Sequence, residues 1–348
     1  MRAMAAASAA LLVTLCLVVV AAAPPEHQSG AADGAGEPAA SLPNGGWGAP
    51  GAERHVDETL SGTIVLSGAW ALYPMVVRWA EEFRREHPNG RVDVGAGGAG
   101  KGMADALAGM VDLGMVSREV YPPEIERGAW WVSVTRDAVV PVVSVENPVL
   151  DSLVARGVTR ERFRDVWLEG SVSEWDDIVA GGPAAPVRAY TRSDACGAAQ
   201  TWAAYLGGTQ EELVGVGVYG DPGLAEAVRR DAFGIGYNNI NYAYDHDSGR
   251  PVPGLVVVPI DLDESGRIEA EEDFYSTMDE IVAAIGEGRY PSPPSRDLHL
   301  VSHGVPTRPE VVAFLEWILT EGQALVAEAG YISLSDETLT AQLGRLGE

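Results

Sequence analysis

The chain has a single lysine, Lys101; its other 23 basic residues are arginines, set against 50 acidic ones. The formal charge of -26 argues against nonspecific nucleic-acid binding, which requires clustered cations facing phosphates. Cysteine is almost missing, with only Cys16 and Cys196 present. If Cys16 leaves with an N-terminal leader, no disulfide can form within the remaining chain. No G-x-S-x-G nucleophile elbow occurs. In "HLVSH", His299 and His303 lie four apart, but Leu300 stands where the helix-borne zinc motif needs Glu. Cys196 has no histidine in a matching pattern, so it reads as a packed or ligand-near thiol. These absences point away from an enzyme and from a required cofactor.

Long apolar runs are also lacking, except at the start. "MRAMAAASAALLVTLCLVVVAAA" has one arginine, an apolar run and then small residues. That is the shape of a secretory signal over residues 1–22, or of an uncleaved membrane anchor. Leu15 is too large for the usual lipoprotein box before Cys16. Residues 23–58 are rich in Gly, Ala, Pro and Ser without apolar period, as in a flexible linker. The expectation is an exported protein, periplasmic or at the cell surface, that touches the membrane only through its N-terminus.

From residue 59 the pattern changes. "TIVLSG" reads as a strand, and Met75, Val76, Trp79, Ala80 and Phe83 mark an amphipathic helix stopped by Pro88. "RVDVGA", a helix from Gly100 to Met110, and "VDLGMVS" continue the alternation. It resumes at "VRAYTR" and "CGAAQTWAAYLG", and "RPEVVAFLEWILTEGQALVAEAG" reads as one long closing helix. Such alternation predicts an α/β sheet covered on both faces. Two lobes with a cleft between them are expected, 59–146 plus 253–348 as the first and 147–252 as the second.

The stretch "VGAGGAGKGMADAL" offers two nucleotide motifs. It reads G-x-x-x-x-G-K from Gly95 to Lys101, but Gly102 stands where a P-loop needs the magnesium-binding Ser or Thr. It also reads G-x-G-x-x-G, yet Ser117 and Arg118 stand near the end of the next strand, where the ribose-binding acid belongs. What survives is a strand, a glycine turn and a helix start, whose unpaired amides and dipole suit an anion. Ser67 and Gly68 repeat the arrangement, as does Arg192-Ser193-Asp194 before Cys196 and Gly197. Asp221 and Pro222 begin a further helix, with Asp221 read as its N-cap. Arg118 adds a second cation at a strand end.

This order of segments resembles the phosphate-binding proteins of ABC transporters, members of the type II periplasmic binding proteins. The resemblance runs from about Leu60 to Leu334. It rests on Tyr73-Pro74 in the first loop, "GGAGKGMADAL", "VDLGMVSR", "RSDACGA", "VSEWDDI", "GIGYNN" and "FLEWILTEGQALVAEAGYISL". It implies a two-lobed fold with an interlobe cleft and crossing hinge strands. It also implies a monomer that delivers an oxyanion, with phosphate leading and molybdate, tungstate or sulfate following, to a membrane permease. The implied ligand residues are Ser67, Gly68, Ala69, Leu72 and Tyr73; Ala99, Gly100 and Lys101; Ser117 and Arg118; and Arg192, Asp194, Cys196, Gly197 and Ala198. The chain departs from the family at Cys196 and Ala198, where hydroxyls are usual, at Ala99, where a serine is usual, and at Ser117, where many members carry an aspartate. The alternatives on the same fold are a phosphate-ester hydrolase and a sensing protein.

One further motif stands apart. "DLDESGRIEAEE" sets Asp261, Asp263, Ser265, Arg267 (through its carbonyl), Glu269 and Glu272 at positions 1, 3, 5, 7, 9 and 12 of a twelve-residue calcium loop, with Gly266 at 6. A strand precedes it in place of a helix. The expectation is a structural Ca2+ site; the competing reading is an acidic surface turn.

Overall fold

The computed structural model describes residues 59–179 and 183–347. The leader expected over 1–22 and the linker expected over 23–58 lie outside the described residues. Among the described residues nine strands form the frame: β1 Gly62–Gly68, β2 Gly90–Ala96, β3 Leu113–Val116, β4 Ala129–Ser144, β5 Arg188–Arg192, β6 Val216–Val218, β7 Gly234–Asn239, β8 Leu255–Val257 and β9 Ser295–His303. They run in the order β2-β1-β3-β9-β4-β7-β5-β6, with β8 also pairing β4.

The strand β4 joins two halves. Its first part pairs antiparallel with β9, from Ala129↔His303 to Ala138↔Ser295. Its second part pairs with β7, from Val139↔Asn239 to Val143↔Ile235. Two separate apolar cores form on either side of this switch. One holds Ile64, Trp79, Phe83, Met115, Val132, Leu300 and Phe314. The other holds Val140, Trp167, Trp202, Ile235, Tyr237, Phe274 and Tyr290. On each side the strands that run parallel, β1 with β2 and β3, and β5 with β6 and β7, are linked through helices, as parallel crossovers require.

The helix Tyr73–Glu86 buries Met75, Val76, Trp79 and Phe83, as its spacing predicts, and ends before Pro88. The segment "GGAGKGMADAL" is a helix over Ala99–Leu107, shorter than the sequence suggests. Gly102 is required there by packing: a Cβ would lie 2.4 Å from the Met115 carbonyl oxygen and 2.9 Å from the Gly68 Cα. The glycine that removes the P-loop hydroxyl is what lets this helix lie against β1 and β3.

Two expectations need correcting. The closing helix is not continuous: it runs Pro309–Leu319 and gives way to short 3-10 turns at Glu321–Leu325 and Ala327–Ala329. At the break Thr320 turns its hydroxyl back to the Glu316 carbonyl at 2.7 Å, and the Trp79 indole claims the Gly322 carbonyl at 2.8 Å. A further helix, Asp336–Leu346, follows. The division of the lobes also differs. Leu255, Val257, Phe274, Ile281 and Tyr290 pack in the second core, whereas the sequence division placed everything from 253 in the first. Only from β9 onward does the chain rejoin the first half. No helix among the described residues is long and apolar enough to cross a membrane.

Candidate functional site

The loops singled out in the sequence meet where the two halves face each other. After β1, the Gly68 carbonyl accepts the amides of Gly97 and Gly98 at 2.8 and 2.9 Å, which ties the first loop to the second. Across the cleft, the Gly100 amide donates to the Ala195 carbonyl at 3.1 Å. A Cβ on Gly98 would lie 2.8 Å from that carbonyl oxygen, and one on Gly197 would lie 2.2 Å from both oxygens of Ser117. These glycines therefore allow the two halves to approach this closely. On the other side of the cleft, Tyr242 donates to the Trp70 carbonyl at 3.1 Å, and the Trp70 ring packs edge-on to Tyr219.

Arg192, at the end of β5, is the centre of the arrangement. Its side chain is fully buried, and Asp194 grips it bidentately through Nε at 2.9 Å and Nη2 at 2.6 Å. Its Nη1 reaches Asp221 at 2.5 Å. A guanidinium has five N–H groups; three are engaged here, which leaves one on each terminal nitrogen for a ligand. Burial works against the charge, and Asp221 and Asp194 more than restore it. Gln210 pins the same loop, donating to the Asp194 carbonyl at 2.7 Å and accepting from the Cys196 amide at 3.2 Å.

Asp221 is not the helix N-cap expected from the sequence. Gly220 holds that position at φ 73°, which leaves Asp221 free to face Arg192. Its second oxygen accepts from the Asn239 amide at 3.2 Å and Nδ2 at 2.8 Å. Asn239 in turn accepts from Arg296, which lies 3.3 Å from Asp137. Asp137 and Arg296 are directly paired residues on β4 and β9. One position on, Arg136 and Asp297 form the reciprocal pair at 2.9 Å, on the opposite face because side chains alternate.

A family model of the PBP superfamily domain matches residues 54–321. The chain belongs to this superfamily. It is 23% identical over 331 residues to the phosphate-binding protein PstS of Methanocaldococcus jannaschii, covering 79% of this chain and 84% of that one. It is 26% identical to the protein SphX of Synechococcus elongatus over 81% of this chain and 80% of that one. Among solved structures it resembles a substrate-binding protein of Clostridium perfringens with bound phosphate, with a TM-score of 0.65 and 21% identity, covering 79% of this chain and 100% of that chain. The fold is that of the type II periplasmic binding proteins.

The remaining residues named from the sequence divide into groups. Gly68, Ala99, Gly100, Ser117, Asp194, Gly197 and Ala198 lie at the closing surfaces or helix starts. Ser67 is turned away, its hydroxyl held by Asp105 at 2.6 Å. Lys101 is half-exposed and pairs with Asp105 one turn on, so its ammonium is not offered to the cleft. The Ala69 amide is taken by the Met115 carbonyl at 2.8 Å. Leu72 belongs to the first apolar core, while Tyr73 packs beside it and is partly buried. Arg118 is gripped bidentately by Glu124 at 2.6 and 2.9 Å and lies over the Tyr121 ring, so most of its donors are spent. It lines a 490 Å³ cavity with Gln200, Arg296 and His299. Cys196 caps the helix Gly197–Leu206, its sulfur accepting the Ala199 amide at 3.4 Å. Burial pushes its thiol up to about 12, so it is neutral at physiological pH and poorly suited to nucleophilic attack.

Asp137 was missed in the sequence. It is fully buried, and neither carboxyl oxygen has a hydrogen-bond partner in the structure. Burial raises its pKa from 3.8 to about 7, opposed by Arg296 and reinforced by Asp221. With Asp137 protonated, Arg192 and Arg296 face Asp194 and Asp221, and the network carries no net charge. The folded protein then binds more protons than the unfolded chain between pH 4 and 7. Asp137 therefore contributes a stability term that falls as pH rises through that window and is flat above it, by up to about 1.4 kcal/mol per pH unit. Asp137→Asn is expected to lose this term, so its melting temperature relative to the unaltered protein climbs from pH 4.5 to 7.5. A difference that does not vary with pH would show that Asp137 titrates ordinarily.

Proposed function

We propose that the protein is an exported solute-binding protein that captures an inorganic oxyanion, phosphate first, between its two halves and delivers it to an ABC transporter. The observation that carries this reading is Arg192. It is fully buried at the meeting of the cleft loops, is held by two carboxylates through three N–H groups, and retains two more. Fixed donors of this kind bind a tetrahedral oxyanion without reorganising. The amides at the starts of Ala99–Leu107 and Gly197–Leu206 add partial positive charge. The names of the relatives support phosphate within the class. Binding rests on hydrogen bonds with no covalent step, and closure of the halves presents a joint surface to the permease.

Few side-chain hydroxyls serve this site. Ser67 is bound to Asp105 and Ser117 is pressed against Gly197, while positions 196 and 198 carry Cys and Ala. Selectivity would then depend on backbone donors and Arg192. Calorimetry of the purified protein against phosphate, sulfate, molybdate and tungstate is the direct test. Phosphate is expected to bind tightest. Heat from none of the four would remove the oxyanion reading.

A further inference from the structure

The loop Asp261–Glu272 lies outside the cleft. Its backbone contacts run to the 155–158 turn, with Asp261 N to Val158 O at 3.2 Å and Ile268 N to Ala155 O at 2.9 Å. One carboxylate oxygen each from Asp261, Asp263 and Glu272 lie within 4.8 Å of one another. Asp261 and Glu272 are buried. Among the described residues no basic side chain forms an ion pair with any of the three: the one arginine of the loop, Arg267, is turned outward onto Glu269 and acts on Asp263 only from a distance. Like charges held this close without a cation repel, and burial strengthens the repulsion.

Glu272 supplies a second, independent observation. It is only 6% exposed. One oxygen, Oε1, is fixed by the amides of Leu262 at 2.7 Å and Asp263 at 3.2 Å. The other, Oε2, is buried with no hydrogen-bond partner. A buried carboxylate oxygen without a donor is costly unless a cation takes it.

We infer that this loop holds one Ca2+ ion, bound by Asp261, Asp263, Ser265, the Arg267 carbonyl and Glu272. The backbone holds these groups in place. The Ser265 amide donates to Asp261 at 3.1 Å and to Asp263 at 3.0 Å, and the Gly266 amide donates to Asp261 at 3.0 Å. The Ser265 hydroxyl donates to the Arg267 carbonyl oxygen at 2.9 Å, which brings the oxygens of positions 5 and 7 together. Glu264 and Gly266 adopt left-handed φ values of 59° and 77°, and these turns curl the chain around the carboxylates. The donor set is all oxygen, without His or Cys, which favours a hard cation over zinc or copper. A twelve-residue span with a carboxylate at its last position favours calcium over magnesium, which demands a small octahedral site and keeps several waters. The remaining coordination falls to Glu269 or water. Phe274 and Tyr275, immediately beyond, pack in the second core, so the ion would anchor the connection from β8 to the helix Met278–Gly286.

The test uses the whole protein stripped with chelator, then titrated with calcium chloride to millimolar concentration. Saturation is expected to raise the melting temperature by about 5 °C, with one ion bound per chain by calorimetry. Glu272→Gln and Asp261→Asn are each expected to weaken calcium binding at least tenfold, whereas Glu271→Gln, on the neighbouring acid, leaves it unchanged. Phosphate binding serves as the folding control for every variant and reports separately on the cleft. No heat and no melting shift with calcium on the unaltered protein would overturn the site. An equal response to magnesium chloride, or undiminished binding in Glu272→Gln, would overturn the calcium assignment.

Discussion

Arg192→Ala is expected to weaken oxyanion binding by roughly 30-fold or more and to lower stability at the same time. The two losses have different origins. In the ligand-bound state, the variant lacks two charge-assisted N–H donors in a water-excluded site. Removing one partner of such a contact costs about 2 to 5 kcal/mol, or roughly 30-fold to several thousand-fold in affinity. In the free protein, Asp194 and Asp221 are left buried with no cation, and their side chains are only 7% and 1% exposed. Breaking a buried ion pair from one side costs about 3 to 5 kcal/mol. Asp221 keeps its bonds from Asn239, so it is better held than Asp194, whose remaining side-chain contact is the Gly220 amide at 3.2 Å. Arg192→Lys separates the effects. It restores charge between the carboxylates but cannot reproduce the bidentate fork, so stability should recover more than affinity does. The measurement is phosphate calorimetry, paired with thermal melts, on both variants at a temperature where each is folded. Arg192→Ala with unchanged affinity would remove the residue from the site.

The sequence made the architecture readable because strands and helices alternate with clear periods. Met75, Val76, Trp79 and Phe83 all fall on the buried face they predict. The loop ends were readable too, since glycines and an arginine sit between a strand and a helix. What the sequence concealed is how the charges pair. Asp221 looks like a helix cap because Asp before Pro and Gly favours one; its role as partner of Arg192 depends on a residue 29 positions away. Arg118 looks like a free cation until Glu124, six residues on, folds back to hold it. Asp137 and Arg296 carry a visible hint, a charged pair interrupting each of two apolar strands. Their partnership is fixed only by the register of β4 against β9. The lobe boundary was misplaced for a similar reason: the 255–290 segment joins the second core through side chains that no local period distinguishes from those of the first.

Gly197→Ala is expected to weaken ligand binding without weakening either half of the molecule. Gly197 opens the helix Gly197–Leu206 on one side of the cleft, and Ser117 follows β3 on the other. An added Cβ would lie 2.2 Å from both the backbone and the side-chain oxygen of Ser117. Rotating the hydroxyl relieves the second contact but leaves the first, because the carbonyl belongs to the main chain. Ser117 and Gly197 stand on facing halves, so under the proposed closure on ligand the substitution acts on the balance between open and closed forms. Overpacking of this kind costs about 1 to 3 kcal/mol, which lowers apparent affinity by the fraction of closed molecules lost, roughly 5- to 150-fold. Alanine is also a better helix residue than glycine, so the melting temperature of the ligand-free protein should hold or rise. Gly344→Ala, where a Cβ meets nothing within 4 Å, is the matched control for the helix effect alone. Small-angle scattering should show the Gly197 variant remaining more extended at phosphate concentrations that compact the unaltered protein. A variant that binds and compacts normally would mean that the contact between Ser117 and Gly197 yields at little cost, and that closure does not depend on the absent side chain.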